Sequence, residues 1–272
     1  HQNLDIEKPG EKMIKIDVCV ETVFPELKPE EKISRIKEIG YDCVEIWFPD
    51  SKNIDALASA LKNSNVRLND LVVNSPDGSM GGFLVKESDR KTYMNRLSHT
   101  IKTAKKLDCN MAITCTGNWV ENLTKHRMID NIIKTLSSVT EILKENSFTL
   151  VLEPLNSFKD HKNYFLDSAK LAAEIVRKIK SPHVKLLYDI YHMQIMEGNI
   201  CDFIERNIDI IGHFHSAGVP GRHELYNGEL NYPFIIKLID RLGYKGYFGL
   251  EYMPAEKDHA LSLKKTLDYL MS

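Results

Sequence analysis

The chain lacks any run of 18 apolar residues, so no stretch of it reads as a membrane-crossing helix. It also lacks a basic block. Its 36 Lys and Arg stand against 38 Asp and Glu, a formal charge of −2, and this balance does not suggest a nucleic-acid partner. Cysteine is scarce and unpatterned. Cys19, Cys43, Cys109, Cys115 and Cys201 are odd in number and form no C-x-x-C pair, which argues against a disulfide framework and against a thiolate zinc site. Most sit in apolar runs and read as small buried thiols in a reducing compartment, so a cytoplasmic location is expected. The opening stretch HQNLDIEKPGEK is too polar for a signal peptide as it stands. The chain begins with His1 rather than Met, so a signal sequence removed upstream is compatible with it. Glycine is missing where an open doubly wound sheet would need it. The turn after the first apolar run reads ETVFPELKP, with nothing to cradle a phosphate. No internal repeat, low-complexity tract or linker interrupts the sequence. One domain is therefore expected over residues 13–272, behind an N-terminal extension of residues 1–12.

What the chain does contain is a regular alternation. Short β-branched runs fall at about 14–20, 42–48, 66–73, 110–116, 148–153, 184–189, 209–215 and 246–251. Amphipathic stretches fill the gaps between them. Met94, Leu97, Ile101 and Ala104 recur at helical spacing, and so do Ile129, Ile132, Leu136, Val139 and Leu143. Leu171, Ile175 and Ile179 follow a capping pair, Asp167-Ser168, while Pro233 and Gly243 mark a helix start and stop. Eight strand–helix pairs, with strands too apolar to face water, predict a single-domain α/β fold, a closed (β/α)8 TIM barrel. Active sites of such barrels lie at the carboxyl ends of the strands. Two glycine-rich connections, residues 74–83 and 216–232, leave those ends and are candidate lids.

Strands five to eight end in Glu153, Asp189, His215 and Glu251. On neighbouring strands of a barrel these side chains converge. Three carboxylates and an imidazole make a hard, oxygen-rich site, so one divalent metal ion is expected, Mn²⁺ or Mg²⁺, with Co²⁺ or Zn²⁺ as substitutes. Without a cation the carboxylates would repel one another. A single carboxylate at a strand end reads more readily as a cap or an ion-pair partner; four ligand types on consecutive strands do not. Glu45 lies in mid-strand and reads as a structural carboxylate rather than a pocket wall. His192, three residues after Asp189, reads equally as a packed loop histidine and as a substrate contact. His213 lies one pleat deeper than His215 and reads as support. His99, His126, His183 and His259 fall on helices or opposite-end loops and read as surface residues. Arg222 leaves the active end and is placed to grip a substrate carboxylate or hydroxyl. Asn74 and Asn118, after the third and fourth strands, complete the candidate substrate contacts.

The stretches VLEPLN at 151, LLYDIYHMQIMEGNI, IGHFHSAGVPGRHEL, NGELNYP and GYKGYFGLEYMP resemble the hydroxypyruvate isomerase family. That family belongs to the xylose-isomerase-like barrels, with ketose 3-epimerases and endonuclease IV as relatives. The resemblance is dense over residues 150–254 and looser before, where GYDCVEIWFP at 40–49 carries most of it. It implies that Glu153, Asp189, His215 and Glu251 hold the metal, that Glu153 and Glu251 move protons, and that His192 and Arg222 touch substrate. Some hydroxypyruvate isomerases carry Gln in place of His215, which brings this site closer to the metal-dependent epimerases. The epimerases add a second substrate-binding Glu where this chain has NSFKDHKNYFL, with Lys159 and Asp160. The nuclease relatives need histidines where this chain has Asn74 and Thr116-Gly117-Asn118, and an Asp-x-His where it has Gly221-Arg222-His223.

The chemistry this implies is isomerisation of a small hydroxy-keto acid or ketose to its aldehyde isomer through an enediolate, with hydroxypyruvate and tartronate semialdehyde as the named pair. Alternatives are a ketose 3-epimerase, an enediolate-forming lyase or decarboxylase on a keto-sugar acid, and, outside catalysis, a sugar-binding protein. A small-molecule keto acid or ketose is the expected partner, with no nucleic acid and no membrane. A homo-oligomer is compatible with the sequence.

Overall fold

The structure, a computed structural model, describes residues 14–272; the extension expected at 1–12 lies outside them. Nine strands form one sheet: β1 (Lys15–Cys19), β2 (Cys43–Glu45), β3 (Arg67–Leu68), β4 (Leu71–Val72), β5 (Met111–Thr114), β6 (Thr149–Leu152), β7 (Val184–Asp189), β8 (Ile211–Ser216) and β9 (Tyr247–Leu250). Their order is β3-β2-β1-β9-β8-β7-β6-β5-β4, and adjacent strands are parallel.

The two ends of that order, β3 and β4, are halves of the single strand expected at 66–73. Asn69 N–H donates to Val44 O on one side, and Val73 N–H donates to Ile113 O on the other. The sheet therefore closes on itself through a strand broken at Asn69 and Asp70. Backbone bonds to the β2 side run on across this point, from Asn69 N to Val44 O, from Ile46 N to Asp70 O and from Val72 N to Trp47 O, and Asn69 Nδ2 donates to the Asp70 carboxylate at 2.7 Å.

The strands are apolar on both faces because helices cover the outside and side chains fill the inside. One inner wall, on β4 to β7, is Val72, Ile113, Val151 and Leu187. The opposite wall, on β1, β2 and β8 and at the break, carries Asp17, Glu45, Asp70 and His213, all at most 1% exposed.

Two helical details depart from expectation. The fourth gap holds two helices, Lys125–Ser138 and Thr140–Glu145, broken at Val139. There the hydroxyls of Ser138 and Thr140 donate to the carbonyls of Thr135 and Ser137, three residues back. His192 is also not in a loop. The chain turns from β7 straight into the helix Ile190–Met196, with Asp189 as its cap: Asp189 Oδ1 accepts the His192 N–H at 3.0 Å. The strand end and the helix cap are thus one residue, which fixes both Asp189 and His192.

Candidate metal centre

The parallel register sets the level of each ligand. Asp189 pairs with His215, and His215 with Gly249. Gly249 has no side chain to occupy the space. A Cβ there would lie 2.9 Å from both Asp17 Oδ1 and His215 Cδ2, so glycine lets the imidazole swing across β9. The His215 Nδ1 then stands 3.2 Å from Glu251 Oε2, 3.4 Å from Glu153 Oε1 and 3.8 Å from Asp189 Oδ2. All four residues are buried, and their ligand atoms lie within 4.8 Å of one another.

The other ring nitrogen decides what Nδ1 offers. Nε2 of His215 lies 3.0 Å from the Glu45 carboxylate, which only accepts, so the ring proton sits on Nε2 and Nδ1 presents a lone pair. That nitrogen is buried with no hydrogen-bond partner among the described residues. Burial alone would lower the His215 pKa, yet Glu45 and Glu251 hold it well above the usual value. The surroundings call for positive charge at this point, and a divalent cation among Glu153, Asp189, His215 and Glu251 supplies it. The donor set fits such an ion.

The carboxylates are not equivalent. Burial raises the Glu153 pKa against the opposing pull of His215. Burial likewise pushes Asp189 up, to about 7, with His215 opposing. Glu251 goes the other way: burial would raise it, but His215 and Arg222 together hold it well below the carboxylate range. Its two oxygens are separately held. Oε2 accepts from the Arg222 guanidinium at 2.7 Å and Oε1 from the Trp47 indole N–H at 2.8 Å.

A cavity of about 220 Å³ opens onto Glu153 and Glu251, bounded also by Trp47, Ile113, His161, His192 and Arg222. His192 accepts two N–H groups of Asn156 on Nδ1, at 3.2 and 2.7 Å, so a neutral ring carries its proton on Nε2. Burial, reinforced by Arg222, holds the ring well below its ordinary pKa and keeps it neutral. Nε2 is 3.6 Å from Asp189 Oδ2 and makes no hydrogen bond within the described residues. Arg222 stacks over the Tyr191 ring at 5.1 Å.

The remaining sequence candidates are placed differently. Asn74 is fully buried, and its amide is spent on protein: it donates to Gly82 O and Cys115 O and accepts from Thr114 Oγ1 and Cys115 N. No hydrogen-bonding capacity remains for substrate, so Asn74 braces two loops instead. Asn118 pairs through its backbone with Tyr164 and is not among the residues bounding the cavity. The candidate lids are stitched down. In the second, Gly218 and His223 close a turn, the Met253 N–H donates to Arg222 O, and Glu224 accepts from Ala255 N, Glu256 N and Ser262 Oγ. His259 is half-buried rather than a plain surface residue, because its Nδ1 accepts the Phe24 N–H at 2.8 Å.

Three residues were not singled out for the cavity by sequence. Trp47 reaches Glu251 across 204 positions, and the only sign of it was its place in GYDCVEIWFP. His161 packs edge-on to His192 at 5.4 Å. Asp160, which stands near the position of the epimerase glutamate, accepts from Asn156 Nδ2 and Tyr191 OH, each at 2.7 Å, and so supports the neighbours of His192 and Arg222.

The sequence profile described as "Xylose isomerase-like TIM barrel" matches residues 33–271. The chain belongs to that family. A human relative that bears the name hydroxypyruvate isomerase provisionally is 31% identical over 242 residues, covering 85% of this chain and 87% of its own. The hydroxypyruvate isomerase of Escherichia coli K12 is 26% identical over 247 residues, covering 89% and 94%. A crystal structure described as an AP endonuclease, family 2, from Brucella melitensis superposes with a TM-score of 0.86 at 26% identity over 95% of this chain and 98% of that one. The protein is an isomerase of the xylose isomerase-like barrels. Its described residues include no helix long and apolar enough to cross a membrane.

Proposed function

We propose that this chain catalyses the metal-dependent interconversion of a small 2-keto-3-hydroxy acid and its aldehyde isomer, with hydroxypyruvate as substrate. The observation that carries this reading is the convergence of Glu153, Asp189 and Glu251 on the unpartnered Nδ1 of His215, at the wall of a small cavity. The cavity is small, about 220 Å³, which suits a small hydroxy-keto acid. Arg222, the single Lys or Arg bounding it, suits a substrate carboxylate.

A divalent ion held by Glu153, Asp189, His215 and Glu251 would supply Lewis-acid polarisation of a substrate carbonyl. The chain's own groups move the protons. One of Glu153 and Glu251 takes a hydrogen from C3 of hydroxypyruvate; the electron pair of that C–H bond forms the C2–C3 double bond, and the carbonyl π pair moves to oxygen. A proton is then returned to C2. The C3 hydroxyl loses its proton to become the aldehyde, and the C2 oxygen gains one to become the hydroxyl. His192, at the cavity wall with its Nε2–H free, would donate a hydrogen bond to one of those oxygens. Arg222 and Trp47 orient Glu251 from two directions.

Glu153→Gln and Glu251→Gln should each abolish incorporation of solvent deuterium into hydroxypyruvate while leaving the fold intact. Exchange at the wild-type rate in both variants would remove these residues from the proton path.

A further inference from the structure

Below the mouth, inside the closed barrel, lies a second set of three carboxylates and one imidazole: Asp17, Glu45, Asp70 and His213. They come from β1, β2, the broken strand and β8, and none of the four is more than 1% exposed. His213 Nδ1 lies 3.2 Å from the Tyr247 carbonyl, to which a ring ligated through Nε2 would donate its proton, and 3.4 Å from Asn69 Nδ2. Its Nε2 faces Glu45 Oε2 at 2.9 Å, Asp70 Oδ2 at 3.3 Å and Asp17 Oδ2 at 3.8 Å. Glu45 also accepts from His215 Nε2, and Asp70 from Asn69 Nδ2.

Asp17 makes the case independently of that grouping. It is 0% exposed, and neither of its carboxylate oxygens has a hydrogen-bond partner among the described residues; Asp70 Oδ1 has none either. A buried carboxylate aimed into such a space without a donor is a costly arrangement unless something positive fills it. The spacing indicates what would. Ligands about 2.0–2.2 Å from a tetrahedral ion stand about 3.3–3.6 Å apart, and the three separations at His213 Nε2 bracket that value.

We propose that the barrel interior holds a second small divalent cation, four-coordinate and without open positions, between Asp17, Glu45, Asp70 and His213. The geometry gives it a further role. Glu45 lies 2.9 Å from His213 Nε2 and 3.0 Å from His215 Nε2, so one carboxylate links the inner site to the imidazole of the mouth. The inner ion fixes Glu45, and Glu45 fixes the His215 tautomer that presents Nδ1 to the cavity.

The test is metal content of the full-length protein by mass spectrometry after reconstitution with Mn²⁺ or Zn²⁺ and gel filtration, together with anomalous diffraction from crystals of the same material. Two ions per chain and an anomalous peak enclosed by the four inner residues are expected. Asp17→Asn and Asp70→Asn should each lose one equivalent and keep the mouth ion, whereas Asp189→Asn should lose the mouth ion and keep the inner peak. Wild-type crystals with water alone, or nothing, at the inner position would overturn the proposal whatever the variants do. A mouth without metal beside an occupied interior would instead count against the proposed function and leave this inference standing.

Discussion

The mouth and the interior of the barrel carry the same chemistry in different settings. Each assembles three carboxylates around one histidine, and the two histidines are neighbours on one face of β8. At the mouth the cluster borders a cavity, Arg222 and Trp47 hold one carboxylate from outside, and His192 brings a free N–H. In the interior the four residues are at most 1% exposed, and among the described residues no arginine or lysine takes part in the cluster's ion pairs. The same set of side chains therefore does not define a role; access and surrounding donors do. On the readings proposed above, the mouth would exchange substrate and the interior would hold position.

The largest effects should come from changes that break the mouth while sparing the interior. Glu153→Gln or Glu251→Gln removes a proposed proton carrier and should lower kcat by about 10²–10⁴-fold, read from product formation and deuterium uptake. Arg222→Ala should follow. It leaves Glu251 without its guanidinium partner and the substrate acid without a cation, with an expected fall in kcat/KM of about 100-fold, part of it in KM. Trp47→Phe keeps the ring and deletes one N–H to a carboxylate, a bond of about 1.5–3 kcal/mol, so a loss of about 10-fold in kcat with KM little changed is expected. Steady-state kinetics of the two variants separates substrate binding from orientation of Glu251.

The smallest effect concerns the loop that carries Arg222. Glu224 is buried, and although burial would raise its pKa, the N–H groups of Glu256 and Ala255 and the Ser262 hydroxyl hold it below the ordinary carboxylate value. A group depressed in the fold stabilises above its unfolded pKa and loses that contribution as pH falls through its folded one. Glu224→Gln should cost about 1 kcal/mol at neutral pH, and the gap in Tm from wild type should shrink as pH drops below about 4. A gap that stays constant down to pH 3 would show that the carboxylate charge is not what anchors the loop.

The two clusters also differ in how far the sequence exposes them. Glu153, Asp189, His215 and Glu251 each close an apolar run, so strand periodicity alone places them at one end of a barrel. Asp17 and Asp70 sit inside runs that read as ordinary strands, and nothing in IKIDVCV or VRLNDLVV shows that their side chains turn inward to meet His213. The eight-strand order was legible because the strands are short, largely apolar runs separated by amphipathic stretches. The division at Asn69 and Asp70 was not, since it depends on which neighbouring strand each half pairs with. Asn74 misled for a related reason. Position put it at the active end, but the direction of an amide is set by four partners on other segments, and those consume it. Trp47 and His161 entered the cavity through tertiary packing between distant segments, which no local pattern encodes.

The most direct measurement of the central claim is Mn²⁺ content and isomerase activity of wild type and Asp189→Asn, prepared and reconstituted side by side. The account predicts that the variant holds one ion fewer per chain and loses hydroxypyruvate isomerisation with it. Unchanged metal content together with retained activity in Asp189→Asn would contradict a catalytic ion held by Glu153, Asp189, His215 and Glu251.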